Sequence, residues 1–569
     1  MINNYIRGGQ IFLHKVRMLS QVWDKGLLGS FLVSLIITIY VSYMDFTKLD
    51  YAAGITYVKA LSVAEIDNAF SKNTTSTIIA ITDKGVYSKN IKAQDIIKHK
   101  GFKAKYNQIL SVIFSTILKL CSMTIGIFAF VILIWTKFGK SAGEKDIIKG
   151  GKIFSSHEVA KFLHKAHRAS YLIVGGMPLV KDSETSHILI TGTTGSGKTT
   201  CMNELLPQVR SKNQPAIVID YTGAMTDKYY DPSRGDMIIG SYGDSAKDEV
   251  CSWDFWKDVE DEHNLAIIAS SLFADKGGGY DEMWNNASKQ FFKDAVKCVI
   301  AEAKSAQSSP KVKDLYDLLA RDKLADVNKK LKGYASASML DPNNDKTAMS
   351  IRTNTIAFID WMENFIESEQ KCSIDQWFSN LQDGGRWLFL RSSPKQRVAL
   401  RNFHSMLLDL CINQLMELGV DHNRRIWMII DELPALKRLP SLSTALSEFR
   451  KYGGCIMASI QSPHQLFEIY GQNIAYSMLD QFNTKFIFRT DEHNFASYLC
   501  KGFGDIEYKE SSENYSYGAH EMRDGVNFSM IEKKKPLLSP ADLASLDNLE
   551  AYVRLPDTEV KLVKIKVNF

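Results

Sequence analysis

Residues 187–200 read "HILITGTTGSGKTT", an apolar run that leads into a glycine-rich turn and the start of a helix. The turn fits the pattern G-x-x-x-x-G-K-[ST], in which glycines let backbone N–H groups close around phosphates without a Cβ in the way. The N-terminus of the following helix adds its dipole. We therefore expect a site for ATP held with Mg²⁺. The residues expected to bind the nucleotide are Gly192, Thr193, Thr194, Gly195, Ser196, Gly197, Lys198, Thr199 and Thr200.

The carboxylates that such a site needs follow a second apolar run. Within the turn, Lys198 would reach the β- and γ-phosphates, and the Thr199 hydroxyl would help to hold Mg²⁺. The run "RIWMII" leads into Asp431 and Glu432. Asp431 would order the metal through water, and Glu432 would polarise the attacking water. Without the glycine-rich turn, the same pattern would indicate only a strand that ends at a polar loop.

A third stretch, "EFRKYGGCIMASIQSPHQL" (residues 448–466), supplies two more candidates for the site. Its apolar run 455–460 predicts a strand beside the one that ends at Asp431. Gln461 would lie at the tip of that strand, where an amide can report the γ-phosphate to the sheet. Arg450, at a helix edge, is a candidate arginine finger for the site of a neighbouring subunit. Spacing alone leaves two alternatives open, a strand-end amide bonded to a loop and a solvated surface arginine.

Short apolar runs flanked by turn residues predict the strands that must position these groups. They alternate with amphipathic helical stretches, which favours an α/β fold with a mainly parallel sheet and helices on both faces. Residues 254–363 show long helical periodicities without a convincing strand, and we expect them to form an all-α domain inserted into the sheet domain. The predicted strands cover residues 187–191, 215–220, 386–391, 425–431, 455–460 and 484–489.

Two apolar runs near the N-terminus, residues 26–44 and 120–136, contain no charged residue. Each is long enough to cross a hydrocarbon core as a helix. Buried core helices are the alternative, but the basic flanks favour membrane spans. Charge does not settle the orientation. Because ATP is available in the cytoplasm, we expect both termini inside and the segment between the spans across the membrane.

These runs divide the chain into an expected order of segments. They are a cytoplasmic N-terminus (1–25), a first transmembrane helix (26–44), a periplasmic domain (45–106), a second transmembrane helix (107–136), a linker (137–152), the first part of the nucleotide-binding domain (153–253), the all-α domain (254–363) and the second part of the nucleotide-binding domain (364–569).

The composition is that of an ordinary globular protein. Hydrophobic residues make up 45% and charged residues 23% of the chain, so disorder is not expected. The net charge of +5 permits an acidic partner such as nucleic acid without requiring one. The eight cysteines show no C-x-x-C and no zinc-type spacing, which favours a reduced, intracellular chain. The pair His164 and His167 is interpreted as a solvated helix face and not as a metal site.

Several of these stretches together resemble the TraD proteins of F-type conjugation, which are type IV secretion coupling proteins. They are "TGTTGSGKTT", "IWMIIDELPALKRLPSL", "EFRKYGGCIMASIQSPHQLFEIYG" and "ENYSYGAHEMRDGV", preceded by the two spans. The resemblance covers nearly the whole chain, from "GGQIFLHKVRMLSQ" to "AYVRLPD". It implies a RecA-like P-loop domain with an inserted all-α domain, two preceding transmembrane helices, and a hexameric ring. It also strengthens the assignment of Arg450 as a finger that acts in trans.

The resemblance further implies an activity, a location and partners. The protein would be a multi-pass protein of the bacterial inner membrane with most of its chain in the cytoplasm, and its DNA-stimulated ATP hydrolysis would drive conjugative DNA transfer. Its partners would be single-stranded DNA, the relaxase and relaxosome, and components of the type IV secretion channel. Such proteins typically carry a long polar C-terminal tail, whereas this sequence stops at "VKLVKIKVNF". The all-α domain therefore becomes the main candidate for cargo contact.

Other functions stay open at the level of the sequence. An FtsK-type DNA translocase would show more spans and a C-terminal winged helix, and HerA-type chains usually lack spans. A scaffold that only binds nucleotide would not need Glu432. An ATP-driven coupling receptor for effector proteins alone remains an alternative, because no basic patch interleaved with aromatic residues stands out. The nearest such patch is "NKKLKGY" (residues 328–334), and a solvated helix end explains it equally well.

Overall fold

The computed structural model describes residues 2–70, 75–82, 85–141, 146–240, 250–274, 280–363, 365, 369–381, 384–392, 395–516 and 525–568. It divides into two compact units. One comprises Met1–Asp146 and Glu513–Phe528, and the other comprises Ile147–Ser512 and Ser529–Phe569. Residues 142–145 of the predicted linker and residues 517–524 of the stretch "ENYSYGAHEMRDGV" lie outside the described residues.

The first unit contains two long apolar helices and a small α/β element between them. Its elements along the chain are α1 (Ile2–Thr47), α2 (Tyr51–Phe70), β1 (Thr75–Thr82), β2 (Gly85–Lys92), α3 (Ala93–Lys98) and α4 (Lys100–Ser141). Strands β1 and β2 pair antiparallel, and α2 and α3 share a small apolar core. The predicted span 26–44 lies inside α1, and the predicted span 107–136 lies inside α4.

Helices α1 and α4 pack through a seam of small polar side chains. The buried residues of α1 in this seam recur at every fourth position: Ser30, Ser34, Thr38 and Ser42. The hydroxyl oxygens of Ser34 and Thr124 are 2.6 Å apart across the seam. Lys119 interrupts the second apolar run, and its Nζ lies 3.4 Å from a carboxylate oxygen of Asp45. The polar groups of the two helices therefore satisfy one another.

The outward faces of these helices are apolar and exposed. Examples are Ile36 and Tyr40 on α1 and Phe114 and Leu133 on α4. By length and composition, the segments Val22–Thr47 and Lys100–Lys137 are each apolar enough to cross a membrane. Neither is enclosed by the rest of the protein in the way that a core helix is, so a buried-core interpretation fits them poorly.

The remaining strands follow along the chain. They are β3 (Asp146–Lys149), β4 (Ile153–Ser155), β5 (Ala169–Val174), β6 (Met177–Val180), β7 (Ile188–Thr191), β8 (Ala216–Asp220), β9 (Met237–Gly240), β10 (Val250–Trp253), β11 (Lys371–Cys372), β12 (Trp387–Arg391), β13 (Ile426–Ile430), β14 (Gly454–Ile460), β15 (Thr484–Ile487), β16 (Asp505–Ser516), β17 (Gly525–Pro536), β18 (Glu550–Arg554) and β19 (Leu562–Lys566).

Helices lie between and after these strands along the chain. They are α5 (Ser156–Lys165), α6 (Lys198–Ser211), α7 (Ala224–Tyr229), α8 (Phe255–Asp258), α9 (Glu262–Leu272), α10 (Tyr280–Ser305), α11 (Val312–Tyr316), α12 (Leu324–Lys330), α13 (Asp345–Ile359), α14 (Ile374–Ser379), α15 (Arg401–Glu417), α16 (Leu442–Tyr452), α17 (His464–Tyr470), α18 (Gln472–Gln481), α19 (His493–Lys501) and α20 (Pro540–Ala544).

The second unit is built on one large sheet. Among the described residues it has twelve strands, in the order β11-β10-β9-β12-β8-β13-β14-β7-β15-β18-β19-β4. All six predicted strands are confirmed as β7, β8, β12, β13, β14 and β15, and they pair in parallel with one another. Strand β18 pairs antiparallel with β15 and β19. The predicted α/β fold with a mainly parallel sheet is therefore confirmed.

The central strands are apolar on both faces because both faces are covered. Successive residues of a strand point to opposite sides of a sheet. In β8, Ile217 and Ile219 belong to one core cluster, whereas Ala216 and Val218 belong to the other. This two-sided burial explains why these strands read as continuous apolar runs and not as alternating ones.

Between β10 and β11 the described residues form helices α8 to α13 and no strand. The helical interpretation of residues 254–363 thus agrees with the structure. These helices pack on one face of the sheet, and the ring of Trp361 lies 4.8 Å from that of Phe403 on α15, centroid to centroid. They belong to the same compact unit as the sheet. That they act as an inserted domain in their own right stays a prediction.

Candidate functional site

The glycine-rich turn joins β7 to α6 at the carboxyl edge of the sheet. Helix α6 begins at Lys198. Gly192 and Gly197 have φ angles of 156° and 120°, which residues with a Cβ rarely adopt. A Cβ at Gly192 would lie 2.6 Å from the Cβ of Phe488. These glycines are therefore required by the path of the backbone, as the motif predicts.

The ammonium group of Lys198 lies inside the turn. Its Nζ donates to the carbonyl oxygens of Gly192, at 2.8 Å, and Thr193, at 3.1 Å. The residue is only 8% exposed. Burial lowers the pKa of Lys198, while the carboxylates of Glu432 and Asp431 oppose this shift. An ammonium held by carbonyl oxygens alone can exchange them for phosphate oxygens, which are stronger acceptors.

Asp431 and Glu432 directly follow β13, whose position in the sheet brings them to the same edge as the turn. Burial raises the pKa of Asp431, and the nearby carboxylate of Asp220 raises it further. Burial also raises the pKa of Glu432 to about 7, although Lys198 and hydrogen bonds from Gln461 oppose the shift. Glu432 is thus a carboxyl group that can both hold and release a proton near neutral pH.

Gln461 directly follows β14, the strand between β13 and β7. The predicted parallel pairing of β14 with β13 is confirmed. The hydroxyl of Thr194 donates to Oε1 of Gln461 at 3.1 Å, and the side chain and backbone of Gln461 donate to Glu432. Gln461 therefore connects the glycine-rich turn to the candidate base, which is the position that its predicted role requires.

Asp220 is a buried carboxylate of the site that the sequence analysis missed. It ends β8, next to β13, and it accepts hydrogen bonds of 2.7–3.2 Å from its own loop. The donors are the backbone N–H groups of Thr222, Gly223 and Thr226 and the hydroxyls of Thr222 and Thr226. Asp220 thereby fixes the loop that borders Asp431. Its signal in the sequence was a carboxylate at the end of a predicted strand, "PAIVID", followed by a glycine turn.

Leu549 is a second contact that no motif indicated. Its N–H donates to the carbonyl of Ser196 at 2.8 Å, and its own carbonyl accepts from the N–H of Val567 at 2.8 Å. Leu549 has a φ of 69°, an uncommon conformation for a branched residue. The loop before β18 thus closes over the tip of the glycine-rich turn, and β19 holds that loop in place.

Arg450 lies away from the site of its own chain. It is exposed in the last turn of α16, which precedes β14. Gln461 lies at the other end of this strand, and a seven-residue strand rises by about 20 Å at ~3.3 Å per residue. Arg450 and the glycine-rich turn therefore occupy opposite edges of the sheet. Arg450 cannot reach the site in cis, and its predicted role requires a second subunit.

Two further predictions concern the surface. His164 and His167 are exposed at the end of α5, and no group of side chains that could hold a metal occurs among the described residues. In the stretch 328–334, Lys330 lies within 4.0 Å of carboxylates of Glu302 and Asp322. That lysine is thus neutralised locally, in agreement with a solvated helix end.

A family model described as the type IV secretion-system coupling protein DNA-binding domain matches residues 171–568, from β5 through β19. The chain belongs to this family. It is also similar to the coupling protein TraD of Escherichia coli K12, with 28% identity over 566 residues, 97% of this coupling protein and 76% of TraD. Protein VirD4 of Agrobacterium fabrum is 22% identical over 312 residues, 52% of this coupling protein and 45% of VirD4. The resemblance to TraD proteins is confirmed.

Solved structures show the same fold. The coupling protein matches the plasmid coupling protein TrwB in complex with ADP and Mg²⁺ with a TM-score of 0.62 and 21% identity, over 75% of this chain and 95% of that one. The trigonal form of TrwBdeltaN70 with sulphate gives a TM-score of 0.63 and 21% identity, over 74% and 94% of the two chains. The unit built on the large sheet therefore has the α/β fold of TrwB, as the expectation of a RecA-like domain requires.

The residues of the glycine-rich turn suit ATP and Mg²⁺. The turn leaves no room for a Cβ at Gly192, its lysine has only carbonyl partners to give up, and Thr199 is exposed in the first turn of α6. Threonine hydroxyls and carboxylates are the oxygen ligands that Mg²⁺ prefers. Thr199 and Asp431 would hold the metal, and the turn with Lys198 would hold the phosphates.

Proposed function

We propose that this coupling protein is a membrane-anchored hexameric ATPase that couples a relaxase–DNA substrate to a type IV secretion channel and drives conjugative DNA transfer by ATP hydrolysis. The observation that carries the proposal is the meeting of Lys198, Asp431, Glu432 and Gln461 at one edge of the sheet, with Arg450 exposed at the opposite edge. In a ring, every subunit offers one of its edges to the next. Arg450 would then complete the site of a neighbour.

Each side chain of the site has a separate task in hydrolysis. Bound ATP with Mg²⁺ supplies the phosphoanhydride that is cleaved. Lys198 would neutralise phosphate charge, and Asp431 would help to hold the metal ion through water. Glu432, ionised above about pH 7, accepts a proton from the attacking water. Gln461 touches both Thr194 and Glu432 and so couples the state of the turn to the state of the base.

The two apolar helices would anchor the protein in the bacterial inner membrane as a multi-pass protein. Their outward faces are apolar, and their polar groups pair with each other across the seam. In a bilayer, unpaired polar groups would be costly, so this pairing suits helices surrounded by lipid. The nucleotide-binding unit would then lie in the cytoplasm, and the segment between the helices in the periplasm.

DNA and the secretion machinery are the proposed partners. The matched family model carries DNA binding in its description, and VirD4 and TraD are relatives over half or more of this chain. We propose single-stranded DNA, a relaxase and channel components as partners, and the helical segment 254–363 as the surface that contacts cargo.

The test is steady-state ATP hydrolysis by the full chain in detergent, with and without single-stranded DNA. We expect DNA to stimulate hydrolysis and the rate to depend steeply on protein concentration, because sites are completed by assembly. Lys198→Ala and Arg450→Ala should each abolish the stimulated rate. Hydrolysis that is indifferent to DNA would overturn the DNA-transfer function and favour a receptor for protein effectors. A rate independent of protein concentration would overturn the ring.

A further inference from the structure

A basic turn lies between β12 and α15, at the same edge of the sheet as the nucleotide site. The turn spans Lys395–Leu400. Lys395 and Arg397 are exposed, and neither lies within ion-pairing distance of a carboxylate among the residues that the structure describes. Val398, which follows Arg397 shortly before α15 begins, is 86% exposed. The turn thus presents two cations that no described carboxylate neutralises next to an exposed aliphatic side chain.

The turn is close to the catalytic carboxylates. The guanidinium of Arg397 lies 5.1 Å above the ring of Tyr221, the residue that follows Asp220 and is itself buried. The positive charge of Arg397 is near enough to lower the pKa of Asp431, against the larger effect of burial. A new charge next to Arg397 would therefore change the electrostatic potential at Asp431.

The first turns of α15 also hold the chain that follows Glu432. One terminal nitrogen of Arg401 donates to the carbonyls of Pro434, at 3.0 Å, and Leu436, at 2.8 Å. The hydroxyl of Ser405 accepts from the N–H of Lys437 at 2.8 Å. Residues 434–437 are thus bonded to the first turns of the same helix that begins directly after the basic turn.

The same helix reaches the start of α16. Asp409 accepts from the N–H of Ser441 at 2.9 Å, and the amide of Asn413 donates to the hydroxyl of Ser441 at 2.9 Å. Helix α16 begins at the next residue and carries Arg450 in its last turn. Helix α15 therefore connects the basic turn to two segments: the one that follows Glu432 and the start of the helix that carries Arg450.

We propose that the turn Lys395–Leu400 binds the backbone phosphates of single-stranded DNA, and that α15 transmits this binding to the turn after Glu432 and to Arg450. The inference rests on the proposed function, since it names the contact through which DNA stimulates hydrolysis. Exposed lysine and arginine suit phosphate groups, and an exposed aliphatic side chain can pack against sugar or base. Each subunit of a ring would add one such turn, so a short contact per chain is sufficient.

The binding half of the proposal is tested with Lys395→Glu, and Lys181→Glu serves as the matched control because Lys181 is exposed elsewhere on the same unit. The probe is a fluorescent oligothymidylate, titrated against the full chain in detergent at several salt concentrations. We expect Lys395→Glu to weaken binding at least about tenfold and to reduce the slope of log K against log salt by about 0.7 for each subunit whose turn contacts the strand. Lys181→Glu should leave both unchanged.

The transmission half is tested with Arg401→Gln, which removes the bonds to Pro434 and Leu436 without touching the exposed cations. We expect this variant to bind oligothymidylate within about twofold of the unmodified protein, at the same salt slope. The ratio of ATPase rates with and without DNA should fall to near one. A purely structural role would lower the melting temperature of the chain without separating binding from stimulation.

The outcomes distinguish the turn from the function. If DNA does not stimulate the unmodified protein, the proposed function fails. If it does, but Lys395→Glu and Lys181→Glu bind alike, the turn is not the contact. Polyglutamate of matched charge serves as a competitor. If it displaces oligothymidylate as well as unlabelled DNA does, and Lys395→Glu weakens both, the turn is a general site for acidic polymers and the nucleic-acid assignment is overturned.

Discussion

The carboxyl group of Glu432 gains or loses its proton near neutral pH, because the effect of burial on its pKa is larger than the opposing effect of its neighbours. Its neighbours Lys198 and Gln461 favour the ionised form, but burial outweighs them and raises the pKa to about 7. A general base works best when its pKa is close to the working pH. The residue is thus matched to its predicted task by the depth of the site and not by a charge partner alone.

We expect kcat/KM for ATP to rise with pH and to reach half of its maximum near pH 7, because this parameter reports the ionisation of the free enzyme. Glu432→Gln should lower the hydrolysis rate about 10²- to 10⁴-fold while nucleotide binding, measured with a fluorescent ATP analogue, remains. An acid limb that persists in the residual activity of Glu432→Gln would show that another group titrates.

Asp409 is buried in α15, where it accepts two hydrogen bonds from Ser441. Burial raises its pKa to about 7. Between pH ~4 and ~7 the unfolded chain has lost this proton while the folded chain keeps it, so stability falls as pH rises through this window. Asp409→Asn keeps acceptor and donor atoms in place without a charge. We therefore expect the variant to be the more stable one at pH 8, by about 2–4 kcal/mol.

The measurement is the melting temperature of the full chain from pH 5 to pH 8, followed by tryptophan fluorescence. The advantage of Asp409→Asn should grow with pH and level off above pH 7. Asp326→Asn, at an exposed position of α12, is the control and should show no such trend. An advantage of Asp409→Asn that is the same at every pH would indicate that packing and not ionisation is responsible.

Among the elements, the central strands of the large sheet could be predicted from the sequence, whereas its outer strands could not. Parallel strands buried on both faces must be apolar along their length, and runs such as "AIVID" and "IWMII" carry that requirement in full. The short strands β9 and β10 bury less, and β11 has only two residues. Their positions depend on neighbours in the sheet, which no local pattern reveals.

The site was predictable to a similar degree and for a similar reason. Lys198, Asp431 and Gln461 lie at strand ends or helix starts whose spacing is fixed by the chemistry of phosphate binding. Asp220 bonds to its own loop and belongs to the site only because β8 lies next to β13 in the sheet. Leu549 reaches the turn through a contact with Ser196, which is distant in sequence. Arg450 was a candidate by residue type and resemblance, and its role stays a prediction; only the fold shows that it lies at the edge of the sheet opposite to the site of its own chain.

The seam between α1 and α4 gives a prediction for the membrane-proximal helices. Ser34 and Thr124 face each other with their hydroxyl oxygens 2.6 Å apart. Cysteines at both positions, in a Cys121→Ser background, should form a disulfide on mild oxidation of isolated membranes. The pair Ile36→Cys and Thr124→Cys is the control, because Ile36 points outward and is exposed. Mobility on non-reducing gels is the measurement. Equal cross-linking of both pairs would contradict the seam.

For the assembled molecule, the proposed role of Arg450 predicts that two inactive variants restore ATP hydrolysis when their subunits are mixed in one ring. Lys198→Ala lacks a working site but keeps its finger, and Arg450→Ala has the reverse defect. Mixed rings then contain interfaces that join an intact site to an intact finger. For random mixing in a head-to-tail ring, roughly a quarter of the interfaces are intact, so we expect up to about a quarter of the unmodified ATPase rate.

A mixture of Lys198→Ala with Glu432→Gln is the control for this experiment. Both changes affect residues of one and the same site, so no interface in the mixed ring is intact and no activity should return. Recovery in the control as well as in the test mixture would mean that subunits rescue one another by some route other than a shared site. No recovery in either would remove Arg450 from the neighbour's site.

The hydrogen bonds that join Ser196, Leu549 and Val567 link a turn that is synthesised early to residues that are synthesised late. Translation delivers the glycine-rich turn long before it delivers the residues that close over it. A nascent chain that has not yet reached Leu549 therefore carries the glycine-rich turn without the loop that bonds to it. Synthesis of the stretch through Val567 supplies the last of these bonds, so the glycine-rich turn gains its covering loop only late in the making of the chain.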